Sequence, residues 1–170
     1  MAIHLEPVVE ADSGFVAELV RDPATRRFTR APEPPREGFA EEWTARYVAG
    51  RAEGVRDAFV VVDAAGGRLG IAIAPRIDRE GRTVELGYVV APEARGRGVA
   101  TAALQALGTW AFDELGAERL ELLISVENDA SQRVAERCGY RLEGVLRQMY
   151  VKPGLREDTQ LWSRLQTDPP

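Results

Sequence analysis

The sequence predicts an α+β fold, in which a mixed, mostly antiparallel β-sheet is flanked by helices. Two apolar runs on either side of Gly66-Gly67 indicate a hairpin, and two more strand-like runs end the chain. Between them come a strand, a long helix and another strand, and a right-handed crossover through that helix makes the two strands parallel neighbours. No repeat or linker interrupts the 170 residues, so we expect a single domain, 1–170.

The first half of the chain alternates between the periodicities of helices and strands. Asp12 or Ser13 can cap an amphipathic helix, and three prolines in close succession indicate a loop after it. Trp43 and Tyr47 lie one turn apart on the apolar side of a second helix. We therefore predict a strand at 3–9, a helix at 10–22, a loop at 26–38, a helix at 39–51 and a hairpin at 57–75.

The second half contains the strongest helix signal. Leu104, Leu107, Ala111 and Leu115 form one apolar stripe, which Gly116 can close. The predicted elements are strands at 83–92 and 117–126, helices at 98–116 and 129–139, and two final strands at 140–151 and 158–165.

Composition and charge disfavour several classes of protein. The net charge of −5 and the pI of about 5.1 argue against a nucleic-acid binder. No apolar run reaches the ~20 residues of a membrane span, and the first residues carry too many charges for a signal peptide. The single cysteine, Cys138, allows no internal disulfide, so we expect a cytoplasmic protein without nucleic-acid or membrane partners.

The scarcity of histidine and lysine narrows the chemistry further. His4 is the only histidine, so a histidine-rich metal site cannot form, and we expect no metal. A serine or cysteine nucleophile paired with histidine would have to use this one residue. Lys152 is the only lysine, and the absence of any Gly-Lys pair excludes the phosphate-binding loop of ATPases.

The residues Arg95-Gly96-Arg97-Gly98 lie where a predicted strand passes into the long helix. A helix start leaves about four backbone N–H groups unpaired and carries a partial positive charge, and glycines let a ligand approach the backbone closely. With two guanidinium charges added, this turn is typical of a phosphate cradle. It is not the dinucleotide-binding motif, because Thr101 stands where that motif has its third glycine.

The same turn resembles the coenzyme A motif R/Q-x-x-G-x-G/A of the GNAT N-acyltransferase superfamily, matched by Arg95, Gly98 and Ala100. The segment LLISVENDASQRVAERCGYRLEGVLR (122–147) is similar to the N-x-x-S…G-[FY]-x-x-E-G block of the ribosomal-protein (Rim-type) branch, and 4–29 is similar to the opening of that branch. The resemblance covers nearly the whole chain. It implies a GNAT-like sheet with a splayed parallel strand pair at the acyl-CoA site.

The resemblance also implies that acetyl-CoA is a co-substrate and that an amine attacks its thioester directly, from the opposite side of the cleft. The pyrophosphate is expected on backbone amides of the turn, and pantetheine beside the preceding strand like an added strand. The residues expected to bind acetyl-CoA are Val89, Val90, Ala91, Arg95, Gly96, Arg97, Gly98, Val99, Ala100, Asn128 and Ser131.

Acyl transfer needs a base for the amine, a donor for the oxyanion and a stabilised thiolate. Glu85 resembles the glutamate before the cradle in Rim-type enzymes and is the candidate base, through a water; the alternative is a solvent-facing strand residue. A backbone N–H near Val89 or Val90 is the candidate oxyanion donor. Ser131 resembles the Rim-branch serine that reaches the CoA sulfur, although Asn128 and Ser131 also fit an ordinary helix cap and helix surface.

Ala135 departs from the family pattern, because many GNAT enzymes carry a tyrosine there, seven residues after the asparagine, as the general acid. Tyr140 lies on the next predicted strand and fits the core better than the site. The proton donor to the thiolate is therefore open between Ser131, a water and no donor at all, since a thiol of pKa ~8.5 can leave as the thiolate.

Phe28, Trp43 and Tyr47 lie in segments that cover the acceptor site in relatives, and we add Glu85 as the fourth candidate acceptor residue. Packing explains the three aromatic rings better than contact with a substrate. The predicted function is acetyl-CoA-dependent N-acetyltransfer to a primary amine, on a protein N-terminus or on a small molecule such as an antibiotic or a polyamine. The alternative is a catalytically silent acyl-CoA-binding module. Relatives are often dimers, and we expect a homodimer.

Overall fold

A computed structural model describes residues 2–169 and contains one seven-stranded sheet, in the order β1-β2-β3-β4-β5-β7-β6. The strands are β1 (Ile3–Pro7), β2 (Asp57–Asp63), β3 (Arg68–Asp78), β4 (Thr83–Val90), β5 (Arg119–Ser125), β6 (Arg141–Lys152) and β7 (Leu155–Leu165). The helices are α1 (Ser13–Arg21), α2 (Pro23–Phe28), α3 (Phe39–Glu53), α4 (Val99–Asp113) and α5 (Asp129–Arg137). Of the neighbouring strand pairs, only β4–β5 is parallel within the described residues, which confirms the predicted fold class.

The parallel pair is short and opens into a cleft. β4 and β5 pair only where residues 83–85 face residues 119–121, although β4 continues to Val90 and β5 to Ser125. β5 stays paired with β7 on its other side over its whole length. Beyond residue 85, the two strands of the parallel pair therefore diverge, and α4 connects them.

An irregularity in β3 lies directly beside the point of divergence. Ile73 pairs with Gly87 and Arg76 with Glu85, so two residues of β3 oppose one residue of β4. One of the two is Pro75, which has no N–H to give to the strand ladder. Because a bulge bends its strand and increases the local twist, we attribute the opening of the cleft to this position.

Helix α4 covers one face of the sheet, and α1 and α3 cover the other. Leu104 and Leu107 of α4 and Leu120 of β5 are fully buried between helix and sheet. On the opposite face, Trp43 of α3 and Val89 of β4 line the same small cavity. Within residues 2–169, no helix combines the length and the apolar character needed to cross a membrane.

The loop predicted at 26–38 is wrong at its beginning, where the structure has α2. Asp22 caps this helix by accepting the Thr25 N–H at 2.7 Å, and Pro23 occupies its first position. The Asp-Pro pair is the local signal for such a start, and the three prolines that follow obscured it. β3 also runs to Asp78, past the predicted end of the hairpin at 75. The other predicted elements are present, with ends displaced by a few residues.

Candidate active site

The turn that precedes α4 is open and uncapped. Gly96 and Gly98 have φ angles of +72° and +80°, a region that favours glycine, and a Cβ at either would meet nothing within 4 Å. The first helical hydrogen bond runs from Ala102 N–H to Gly98 O, and no side chain of the described residues caps this end of the helix. The amides of 99–101 are therefore available to an anion, as the predicted cradle requires.

The two arginines of the turn differ in their surroundings. Arg95 is bound within the protein, because its Nη2 donates to Asp22 Oδ2 and to Thr25 Oγ1, and its Nε donates to Val90 O. Arg95 holds the pKa of the Asp22 carboxyl at about 2. Arg97 is exposed and makes no ion pair among the described residues. Its guanidinium is thus the freer of the two charges, while Arg95 fixes the turn to the start of α2.

The backbone direction of β4 determines which amides face the cleft. Ala91 N–H donates to Leu69 O of β3 at 2.9 Å. Because hydrogen-bonding directions alternate along a strand, the amide of Val89 also turns towards β3, whereas those of Tyr88 and Val90 turn towards β5. Beyond residue 85, β5 no longer pairs with β4, so these groups point into the cleft. Of the two candidate oxyanion donors, Val90 has the suitable direction.

Asn128 and Ser131 lie at the start of α5, on the β5 side of the cleft. Asn128 Oδ1 accepts the Ser131 N–H at 3.2 Å, so the asparagine caps this helix as well as facing the cleft. The cap holds Ser131 in the first turn of α5, where its side chain is half-buried. Tyr88 approaches the same turn from β4, although sequence reasoning did not select it.

Glu85 lies at the base of the cleft, at the last paired position of β4 and β5. Its carboxylate is 3.7 Å from Arg76, which also donates to Glu121 of β5 at 3.0 Å. Val89 follows Glu85 by four positions, which places the two Cα atoms about 13 Å apart along the strand at the usual rise per residue. A proton transfer from an amine near Val89 to Glu85 therefore requires at least one water between them.

Of the four predicted acceptor residues, Trp43 lines a cavity of about 110 Å³ on the face of β4 opposite α4, whereas Phe28, Tyr47 and Glu85 do not. Trp43 and Val89 line it, with apolar side chains of α1 and β3. Tyr47 packs against Trp43, with ring centroids 4.3 Å apart, and its burial raises the pKa of its phenol to about 12. Phe28 lies on α2, under the Arg27 guanidinium. The structure thus brings Trp43 to the cavity wall, with Tyr47 as support behind it.

The β6–β7 hairpin closes the acceptor side, which no pattern in the sequence indicated. Arg27 of α2 forms a two-pronged ion pair with Glu157 of β7, and Glu157 also accepts from Ser125 Oγ at 3.1 Å. Tyr150 Oη donates to Thr29 O. The Arg27–Glu157 contact joins residues 130 positions apart, so local sequence carries no signal for it.

Among residues 2–169, no group of three or more histidine, cysteine, aspartate or glutamate side chains could hold a metal ion. Arg97 is exposed at the turn before α4, and Glu85 lies beside Arg76 at the base of the cleft.

Comparison with known proteins agrees with this geometry. The profile of the Acetyltransferase (GNAT) domain matches residues 3–141. YdaF of Bacillus subtilis (strain 168), named provisionally as a ribosomal N-acetyltransferase, is 34% identical over 103 residues, which are 61% of this chain and 56% of that protein. The chain spans about half the length of this and the next curated relatives, 46–56%.

Solved structures of a spermidine N-acetyltransferase from Vibrio cholerae share the fold. Its complex with CoA and spermine superposes with a TM-score of 0.85 at 24% identity, over 97% of this chain and 96% of that one. Its dodecameric structure in an intermediate state gives a TM-score of 0.80 at 25% identity, over 97% and 94%. Relatives of both kinds, ribosomal-protein and spermidine acetyltransferases, are found. The family profile covers most of the chain, and with the splayed strand pair and the open helix start it shows that the chain belongs to the GNAT acetyltransferase family.

Proposed function

We propose that residues 1–170 act in the cytoplasm as one acetyl-CoA-dependent N-acetyltransferase domain of the Rim type, which transfers an acetyl group to a primary amine. The observation that carries this proposal is the uncapped start of α4 at the mouth of a cleft with free backbone groups. Such a site supplies what a long anionic thioester needs: donors for its pyrophosphate and an edge for its pantetheine.

The geometry supports a direct attack inside the cleft. The pyrophosphate lies on the amides that follow Gly98, with Arg97 adding charge. Pantetheine pairs with the cleft-facing backbone groups of Tyr88, while Val90 O stays bonded to Arg95 and the Val90 N–H is available. Val90 N–H then donates to the thioester oxygen as it gains negative charge. The amine enters from the face of Val89 and loses its proton through a chain of water molecules that ends at Glu85.

Charge at the acceptor side favours some amines over others. Glu85 and Glu157 already lie beside arginines, and the cavity near Trp43 is lined mainly by apolar side chains, with Arg30 among them. A polycation would find few free carboxylates there. We therefore propose an amine next to a small apolar group, as on a protein N-terminus, in preference to a polyamine.

An acceptor panel tests the function. Purified protein with acetyl-CoA should release CoA and yield an acetylated product with at least one of three classes: peptides with small N-terminal residues, polyamines and aminoglycosides. We expect the peptides to react fastest. Binding of acetyl-CoA without product from any of the amines would instead identify a silent acyl-CoA-binding module.

A substitution in the cradle tests the phosphate site. Gly98→Val should weaken acetyl-CoA binding more than about 10-fold in calorimetry, because a side chain at φ +80° fills the approach to the α4 amides. The change also strains the backbone by about 1–2 kcal/mol. Gly116→Val is the matched control, since Gly116 has φ +63° and follows the far end of α4, where a Cβ would make only an ordinary contact with Arg82 at 3.7 Å. Equal affinities of the two variants would contradict the cradle.

The role of Glu85 is tested by Glu85→Gln, which keeps size and removes the base. At neutral pH, kcat/KM should fall by about 10- to 100-fold with unchanged CoA affinity, and raising the pH should recover part of the loss because more amine is neutral. Glu121→Gln is the control and should keep the wild-type rate. Glu121 also contacts Arg76, but it lies on β5 and is not the proposed base. Turnover equal to wild type in Glu85→Gln would remove this residue from the mechanism.

A second copy of the chain is the proposed partner of β6. This strand ends the sheet and exposes apolar side chains by 36–53%: Leu142, Val145, Leu146, Met149 and Val151. Light scattering should give at least the mass of a dimer. Val145→Lys should lower that mass, whereas Val55→Lys, at an exposed valine far from β6, should not. A monomeric wild-type protein would contradict the proposal.

A further inference from the structure

The side-chain hydroxyls of Tyr88 on β4 and Ser131 on α5 lie near each other. Tyr88 lies on β4, three residues past the last position that pairs with β5. By strand alternation its side chain shares the face of Val84 and Leu86, which are buried on the α4 side of the sheet. Tyr88 Oη is buried and has no hydrogen-bond partner among the described residues. A buried hydroxyl without a partner is costly, so its position calls for a functional explanation.

The group that faces this phenol is the hydroxyl of Ser131. Burial raises the pKa of Tyr88 to about 12, and the nearby Ser131 hydroxyl opposes that rise, although the two do not form a hydrogen bond. Cys138 lies close to the phenol from the same side of α5. Between them on this side lies Ala135, fully buried, which presents only a methyl group. The phenol of Tyr88 therefore lies against the side of α5 that carries Ser131 and Cys138.

We propose that Tyr88 is a positioning residue for Ser131: when acetyl-CoA is bound, Tyr88 Oη–H donates to Ser131 Oγ and thereby turns the serine hydrogen towards the thioester sulfur. This inference rests on the proposed function, and it adds a residue that the coenzyme A motif does not contain. The two hydroxyls lie near each other without a hydrogen bond, so a closer approach on ligand binding would form one.

Acetyl transfer from the thioester to the amine can proceed in this site without a strong acid. Attack forms the C–N bond, and the proton of the amine passes through a chain of water molecules to Glu85. When the intermediate collapses, the C–S bond breaks and its electron pair goes to sulfur. Ser131 O–H donates a hydrogen bond to the departing thiolate, and Tyr88 O–H donates to Ser131 Oγ, which makes the serine a stronger donor. The thiolate gains its proton from solvent after release.

Tyr88 acts in this step as a hydrogen-bond donor and not as a proton donor. A phenol with a pKa of about 12 holds its proton more firmly than a thiol of pKa ~8.5. Full transfer to the thiolate would therefore be unfavourable. Protonated throughout the neutral pH range, the phenol always has a hydrogen to offer Ser131.

The test is a double-mutant cycle on Tyr88→Phe and Ser131→Ala, read as single-turnover rates at saturating acetyl-CoA. Tyr88→Phe keeps the ring and removes one hydrogen bond, so the rate should fall about 5- to 10-fold with unchanged CoA affinity. The double variant should be no slower than Ser131→Ala, because Tyr88 acts only through Ser131. Tyr140→Phe, at another buried phenol, is the control and should keep the wild-type rate.

Three results would overturn the inference. Tyr88→Phe at the wild-type rate means that the phenol has no part in the step. Multiplicative losses in the double variant mean that it acts independently of Ser131. A weakened CoA affinity with an unchanged rate means that it only shapes the binding site. These outcomes are distinct from failure of the proposed function, in which wild-type protein itself transfers no acetyl group.

Discussion

The site depends on the early end of pairing between β4 and β5. Only three residue pairs join these strands. We attribute this to the bulge at Pro75, which bends β3 beside β4, while β7 holds β5 along its whole length. Backbone N–H and C=O groups within a sheet need partners, and beyond residue 85 those of β4 have none from β5. A ligand that can act as a strand meets this need. The cleft is thus a gap in the sheet, in which β4 has no partner strand on the side of β5.

The start of α4 completes the cleft at its outer end. Here the unpaired donors come from the first turn of a helix, and glycines leave space in front of them. Arg95, which belongs to the motif, serves the protein's own structure by binding Asp22 and Thr25. That contact links the coenzyme side of the cleft to the beginning of α2, which borders the acceptor side. The charge left for the ligand is that of Arg97.

Because side chains alternate along β4, its candidate site residues lie on two opposite faces of the sheet. Glu85 and Val89 lie on the face covered by α1 and α3, where the acceptor cavity is found. Tyr88 lies on the face of α4 and α5, together with Ser131 and Cys138. The proposed deprotonation of an amine and the proposed stabilisation of a thiolate therefore have different surroundings, although both use residues of β4. A single strand can present both because its period is two.

Sequence alone determined the order of the strands and of every helix except α2, the parallel pair around the long helix and the glycine turn at its start. These follow from local periodicity and from the handedness of crossovers, which need no knowledge of distant contacts. It could not separate Arg95 from Arg97, since the partner of Arg95 lies 73 residues away. Nor could it select Tyr88 or the Arg27–Glu157 ion pair. These residues are brought to the site by the twist of the strands and by the position of the β6–β7 hairpin. Only tertiary packing decides both, because it joins residues whose spacing along the chain carries no pattern.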